Sequence, residues 1–136
     1  MKATVDANIL FACLIREGET RKIWFNPKMK LYAPAFIIGE FLKYQQPIEK
    51  KSELSYQGFE NPLKKAVSQL GLVSDSELAP FIPAATTLCK DPKDLLYFAC
   101  ALKEDTLIWS NDKEFKNQSR IKVRTTSELL EEAGHL

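Results

Sequence analysis

Four acidic residues stand where they could do chemistry. In VDANIL, residues 5–10, a short apolar strand pattern runs straight into Asp6. IWSNDKEF repeats the arrangement, with an apolar run followed by Asp112. Glu40 lies inside the otherwise apolar IIGEFL, and Asp94 precedes the apolar run LLYFACAL. A carboxylate among apolar neighbours is costly unless it is solvated or paired. Each of these needs water, a partner or a cation.

Each acid has a plain structural reading. Asp6 is a suitable N-cap for the helix pattern NILFACL. Asp94 suits the positive end of the helix that follows, with Asp91 as its cap. Glu40 can pair with Lys43 one turn on, and Asp112 fits a type I turn. The set says more than any member. Carboxylates gathered in one site repel each other until a divalent cation neutralises them. Oxygen donors without His or Cys favour Mg²⁺ or Mn²⁺ over zinc. Such an ion can activate water and offset charge on a phosphoryl oxygen.

The elements decide whether these acids can meet. KATVDA reads as a buried strand, and NILFACLIRE as a helix with Ile9, Leu10, Cys13 and Leu14 on one face. Thr20 is read as the cap of a short second helix. KLYAP, residues 30–34, is a second strand, and a helix is expected from Pro34 through AFIIGEFLKYQ. Two helices are expected at 52–57 and 62–70, broken at Gly58 and Asn61 and stopped by Gly71. LVS, residues 72–74, is a minimal strand. SELAPFIPAATTLC is a proline-broken helix. DPKDLLYFACALKED is a helix opened by Asp91 or Pro92. TLIWS, residues 106–110, is a strand, NDKEF a turn or short helix, and IKVRT an edge strand. TSELLEEAG closes as a helix capped by Thr126, with Leu129 and Leu130 facing inward.

Strands alternating with helices predict an α/β fold, a parallel sheet with helices on both faces. Ligands in such sheets bind beyond the carboxyl ends of the strands. If the first strand and TLIWS are neighbours, Asp6 and Asp112 come together there.

Bulk properties narrow the classes. The chain's 136 residues, 45% of them hydrophobic, suit one domain over 1–136. A formal charge of +1 is not the footprint of a strongly basic nucleic-acid binder. Cys13, Cys89 and Cys100 form no CxxC pattern, and His135 is the single histidine, which argues against a zinc site. The cysteines are read as core residues of a reduced, cytoplasmic protein. No apolar run approaches the ~20 residues of a membrane span, and no leader pattern is seen, so a soluble protein is expected.

VDANIL, GEFLK, DPKDLLYFACAL and IWSNDKEF together resemble the PIN domain, in the subgroup of VapC-type toxin ribonucleases. The resemblance spans nearly the whole chain, and its first and last motifs are the most specific. It implies a three-layer α/β/α sandwich with a central parallel sheet. It implies metal-assisted hydrolysis of RNA phosphodiester bonds with Mg²⁺ or Mn²⁺. By motif position Asp6, Glu40, Asp94 and Asp112 are the metal-holding, catalytic acids. Asp91 competes with Asp94 for the third place. Asn8 and Ser110 occupy supporting positions. All four acids are present, as in an active member. The resemblance also implies a small antitoxin partner and a homodimer. Beside such a centre, Lys43, Lys113 and Lys116 are candidate phosphate contacts, as are the basic runs around Lys50–Lys51 and Arg120–Arg124.

Two readings compete. One is a non-catalytic PIN module that binds nucleic acid or protein. The other is an Asp-dependent phosphatase or phosphoacceptor domain. The phosphatase pattern, however, wants an acid where Asn8 stands. A phosphoacceptor would have to use an acid such as Asp75, without the pair of acids expected at the first strand.

Overall fold

The computed structural model describes residues 1–15, 18–43 and 56–134. Five strands form one sheet: β1 (Lys2–Val5), β2 (Lys30–Pro34), β3 (Leu70–Val73), β4 (Leu107–Trp109) and β5 (Val123–Arg124). Their order is β3-β2-β1-β4-β5, and every pairing is parallel. β1 is therefore central, flanked by β2 and β4. Its Ala3, Thr4 and Val5 are all buried, as expected for a strand covered on both faces. The buried Thr4 hydroxyl is satisfied 2.7 Å from that of Thr106.

The helices fall into two packed groups. α1 (Ala7–Ile15) packs with α2 (Glu19–Trp24), α3 (Ile37–Lys43) and α4 (Tyr56–Val67). On that side α2 also meets α8 (Thr126–Gly134). The other group is α5 (Asp75–Leu78), the 3-10 turn Ala79–Phe81, α6 (Ile82–Thr86) and α7 (Leu95–Glu104). With the sheet between them they form the expected α/β/α sandwich. Trp24 and Trp109 lie within the core, ring centroids 6.1 Å apart. Each indole N–H is satisfied, Trp24 by the Ala66 carbonyl and Trp109 by the Thr126 hydroxyl, both at 3.0 Å.

Several local expectations are revised. Gly58 and Asn61 do not break a helix: α4 runs through them from Tyr56 to Val67, with Pro62 inside. Packing on α1 outweighs the local signals there. Gly71 is not a stop but part of β3. A Cβ on Gly71 would sit 2.9 Å from Cδ1 of Tyr32, its register partner, so the residue is small because that ring lies over it. α2 starts after Gly18 with no side-chain cap, leaving Thr20 inside it. Pro34 ends β2 and does not open a helix; α3 starts at Ile37. Residues 92–94 form a turn, and α7 begins only at Leu95. The cap of α8 is Thr125, not Thr126. The Thr125 hydroxyl accepts from the Glu128 amide at 3.2 Å, and the Glu128 carboxylate accepts from the Thr125 amide at 2.9 Å. That reciprocal pair is a capping box. Thr126 is spent instead on the Trp109 indole.

Expectations near the C-terminus hold. Lys113–Lys116 is a short 3-10 turn and β5 is an edge strand. Leu129 is buried, with Leu130 packed against the core. All three cysteines are free thiols; Cys13 and Cys100 are buried and Cys89 is half-buried. No helix among the described residues is long and apolar enough to cross a membrane. Tyr44, Lys50, Lys51 and His135 lie outside the described residues. Thr125→Ala is expected to cost about 1 kcal/mol of unfolding free energy. The sign is a lower urea midpoint at unchanged slope; an unaltered midpoint would refute the cap.

Candidate active site

The β1–β4 register pairs Val5 with Trp109. One residue further along each strand, Asp6 meets Ser110. Asp6 is 4% exposed and Ser110 is fully buried. Both oxygens of the Asp6 carboxylate are engaged. Oδ1 accepts the Ile9 amide at 3.0 Å, and Oδ2 accepts the Ser110 hydroxyl at 2.5 Å. The first bond is the N-cap of α1, so capping and site geometry coexist in one side chain. The Ser110 Oγ in turn accepts the Asp112 amide at 3.0 Å. Asp112 caps the following 3-10 turn through Glu114 N, also at 3.0 Å.

Asp6, Asn8, Glu40, Asp94 and Asp112 all line one cavity of about 130 Å³, with Ala7, Lys93, Tyr97 and Phe115. The four acids thus arrive from four places in the fold: the end of β1, α3, the start of α7, and the turn after β4. Glu40 also makes its plain structural contact, an ion pair to Lys43 Nζ at 3.3 Å. Asp91 does not line this cavity. It faces an adjoining cleft of about 510 Å³, where its carboxylate lies close to those of Asp94 and Glu114. Asp94 lines both spaces. Asp91 also accepts the Lys93 amide at 2.9 Å, which shapes the turn before α7. Asp75 lies in α5, after the edge strand β3, and does not line the acid cavity.

The electrostatics follow from this crowding. Burial pushes the Asp6 carboxyl up and Asp112 adds to it, against the Ser110 hydroxyl and the Ile9 and Asn8 amides. Asp94 is raised from an ordinary 3.8 to about 6, by burial first, then by Asp91, Asp112, Asp6 and Glu114. Such a set of oxygen donors, with no His or Cys in the lining, fits a hard divalent cation.

Two lining residues were not singled out from the sequence. Lys93 carries an exposed ammonium with no partner among the described residues. Tyr97 is 4% exposed, and its hydroxyl has no hydrogen-bond partner among the described residues. Burial, followed by the nearby Asp6, holds that phenol well above its usual range. Its position three residues after Asp94 on one helix face was the available signal. Of the candidate phosphate contacts, Lys43 is tied to Glu40 and Lys116 to Glu128, while Lys113 is exposed and unpaired among the described residues. Arg124 pairs with Glu132.

The PIN domain profile matches residues 4–133, almost the whole chain. The chain belongs to the PIN domain family. PIN domains are generally nucleases. Among solved structures, the fold is similar to a chain of VapBC2 from Rickettsia felis, crystallised with a DNA fragment from their promoter. That match has a TM-score of 0.66 at 18% identity, covering 92% of this chain and 98% of the other. None of the curated proteins matches in sequence.

With its pKa raised, Asp94 binds a proton more readily in the folded than in the unfolded chain. The metal-free PIN domain should therefore lose stability as pH rises from about 4 to about 6. Asp94→Asn is expected to raise its melting temperature at pH 7 by roughly 3 °C, about 1 kcal/mol after allowance for partial exposure. The gain should vanish as pH falls to about 4. An equal gain at both pH values would contradict the crowding argument.

Proposed function

We propose that this PIN domain is a divalent-metal-dependent endoribonuclease of the VapC kind. In this reading residues 1–136 form one domain acting in the cytoplasm. Asp6, Glu40, Asp94 and Asp112 hold Mg²⁺ or Mn²⁺. The observation that carries it is the convergence of those four carboxylates, drawn from positions 6 to 112, on one cavity wall. A bound ion would supply an activated water and offset charge on the phosphoryl oxygens.

The chain's own residues have separate tasks. The Ser110 hydroxyl fixes the orientation of Asp6 and, by accepting the Asp112 amide, sets the start of the loop carrying the fourth acid. Asn8 lines the same wall as a supporting polar group. Asp94 is preferred to Asp91 as the third ligand because it lines the cavity with the other three. Among the described residues beside the acids, Lys93 and Lys113 have no ion-pair partner and are taken to meet RNA phosphates, while Lys43 and Lys116 act first as partners of Glu40 and Glu128. The fold likeness to a VapBC2 chain favours a small antitoxin as partner, and the same reading takes a homodimer as the working form.

Asp6→Asn should reduce Mn²⁺-dependent cleavage of single-stranded RNA by at least about 100-fold. Circular dichroism should stay unchanged, and EDTA should silence the wild type. Cleavage by the variant at the wild-type rate would overturn the assignment. Lys93→Ala and Lys113→Ala should each weaken RNA binding and lower its salt slope by about 1, with a smaller effect from Lys116→Ala. Equal slopes for all three would exclude Lys93 and Lys113 as phosphate contacts.

A further inference from the structure

Tyr97 has a use that the acidic cluster does not explain. Its ring is fixed on both sides. Phe36 lies 5.2 Å away, centroid to centroid, and Phe115 6.4 Å away in an edge-on arrangement. Phe115 is itself stacked on Phe98 at 5.3 Å. These neighbours also anchor the acids. The Phe36 carbonyl accepts the Glu40 amide at 3.1 Å, and the Phe115 amide donates to the Asp112 carbonyl at 3.3 Å. The phenol is thus packed among the segments bearing Glu40, Asp94 and Asp112, in a residue that lines their cavity and with its hydroxyl close to Asp6, Glu40 and Asp94.

That hydroxyl is a buried donor without an acceptor. The nearby Ala7 amide is a donor and cannot accept the phenol's proton. Asp6, at the end of β1, accepts from Ile9 and Ser110 and makes no bond to this phenol. A buried donor left unmatched is costly, and such groups in native proteins mark places where a partner arrives. In a cavity walled by carboxylates, the acceptor that arrives with the substrate is a phosphoryl oxygen.

We propose that the Tyr97 hydroxyl donates a hydrogen bond to a non-bridging oxygen of the phosphodiester being cut, making Tyr97 a catalytic residue. This rests on the nuclease reading above for the identity of the substrate. Beside Asn8 and Lys93, Tyr97 adds a neutral donor to a cavity dominated by four carboxylates, and helps an anionic substrate to enter it. Its ring packing lets the contact be removed alone, by Tyr97→Phe.

The test compares Tyr97→Phe with wild type in three measurements. They are kcat and KM for cleavage of a short single-stranded RNA in Mn²⁺, binding of the same RNA in Ca²⁺ by fluorescence anisotropy, and Mn²⁺ affinity by calorimetry. Melting temperature checks the fold and is expected to hold or rise. Loss of one hydrogen bond to a charged oxygen predicts a fall of about 10- to 100-fold in kcat/KM. Mn²⁺ affinity should be unchanged. A fall in cleavage or in RNA binding, with Mn²⁺ affinity kept, supports the proposal. No fall in either, or an equal fall in Mn²⁺ affinity, overturns it. Absence of cleavage by the wild type counts against the nuclease reading alone; the binding comparison then decides the role of Tyr97.

Discussion

The bond between Asp6 and Ser110 is the constraint on which the site turns. It joins the ends of the two central strands, at a point where water is excluded and a lone carboxylate would be costly. The register of β1 on β4 makes the bond possible, since a slip of one residue would put the two side chains on opposite faces of the sheet. Because Ser110 also receives the Asp112 amide, one hydroxyl fixes the geometry of two acids. The fourth acid is oriented by the first through a single shared atom.

A second, apolar device joins the remaining corners. The rings of Phe36, Tyr97, Phe115 and Phe98 run side by side behind the carboxylates. They bring together α7, the segment before α3, and the turn after β4. The aromatic row resists the mutual repulsion of the acids in its front wall. The hydrophobic effect, which needs no counter-ion, holds in place a charge arrangement that electrostatics alone would disperse.

Much of this was legible in the sequence, for identifiable reasons. Strand ends are sharp features, so Asp6 and Asp112 could be placed at one edge of the sheet once β1 and β4 were taken as neighbours. Glu40 stood out because a carboxylate inside IIGEFL has few harmless explanations; the structure gives it the ion pair to Lys43 and the place on the cavity wall together. DPKD was harder. Asp91 and Asp94 are three residues apart, and only the turn before α7 shows which of them reaches the cavity. Tyr97 was hidden because an aromatic in a core-forming helix usually signals packing, and nothing local reveals that its hydroxyl lacks a partner. The errors at Gly58, Gly71 and Thr126 have one origin. Each residue carries a strong local signal, but a contact distant in sequence decides its role: α1 for the first, Tyr32 for the second and Trp109 for the third.

The place of β1 in the sheet also bears on the order of assembly. Its two neighbours come from very different distances along the chain, β2 from residues 30–34 and β4 from residues 107–109. As a chain grows from its N-terminus, one edge of β1 can be paired early, while the other waits for about a hundred further residues. Closing so long a loop is entropically expensive and slow. One of the four acids, Asp112, together with the serine that orients Asp6, arrives only with that pairing. Nascent or truncated forms ending before β4 therefore carry an open strand edge and an incomplete cavity, and the site comes into being when β4 docks on β1.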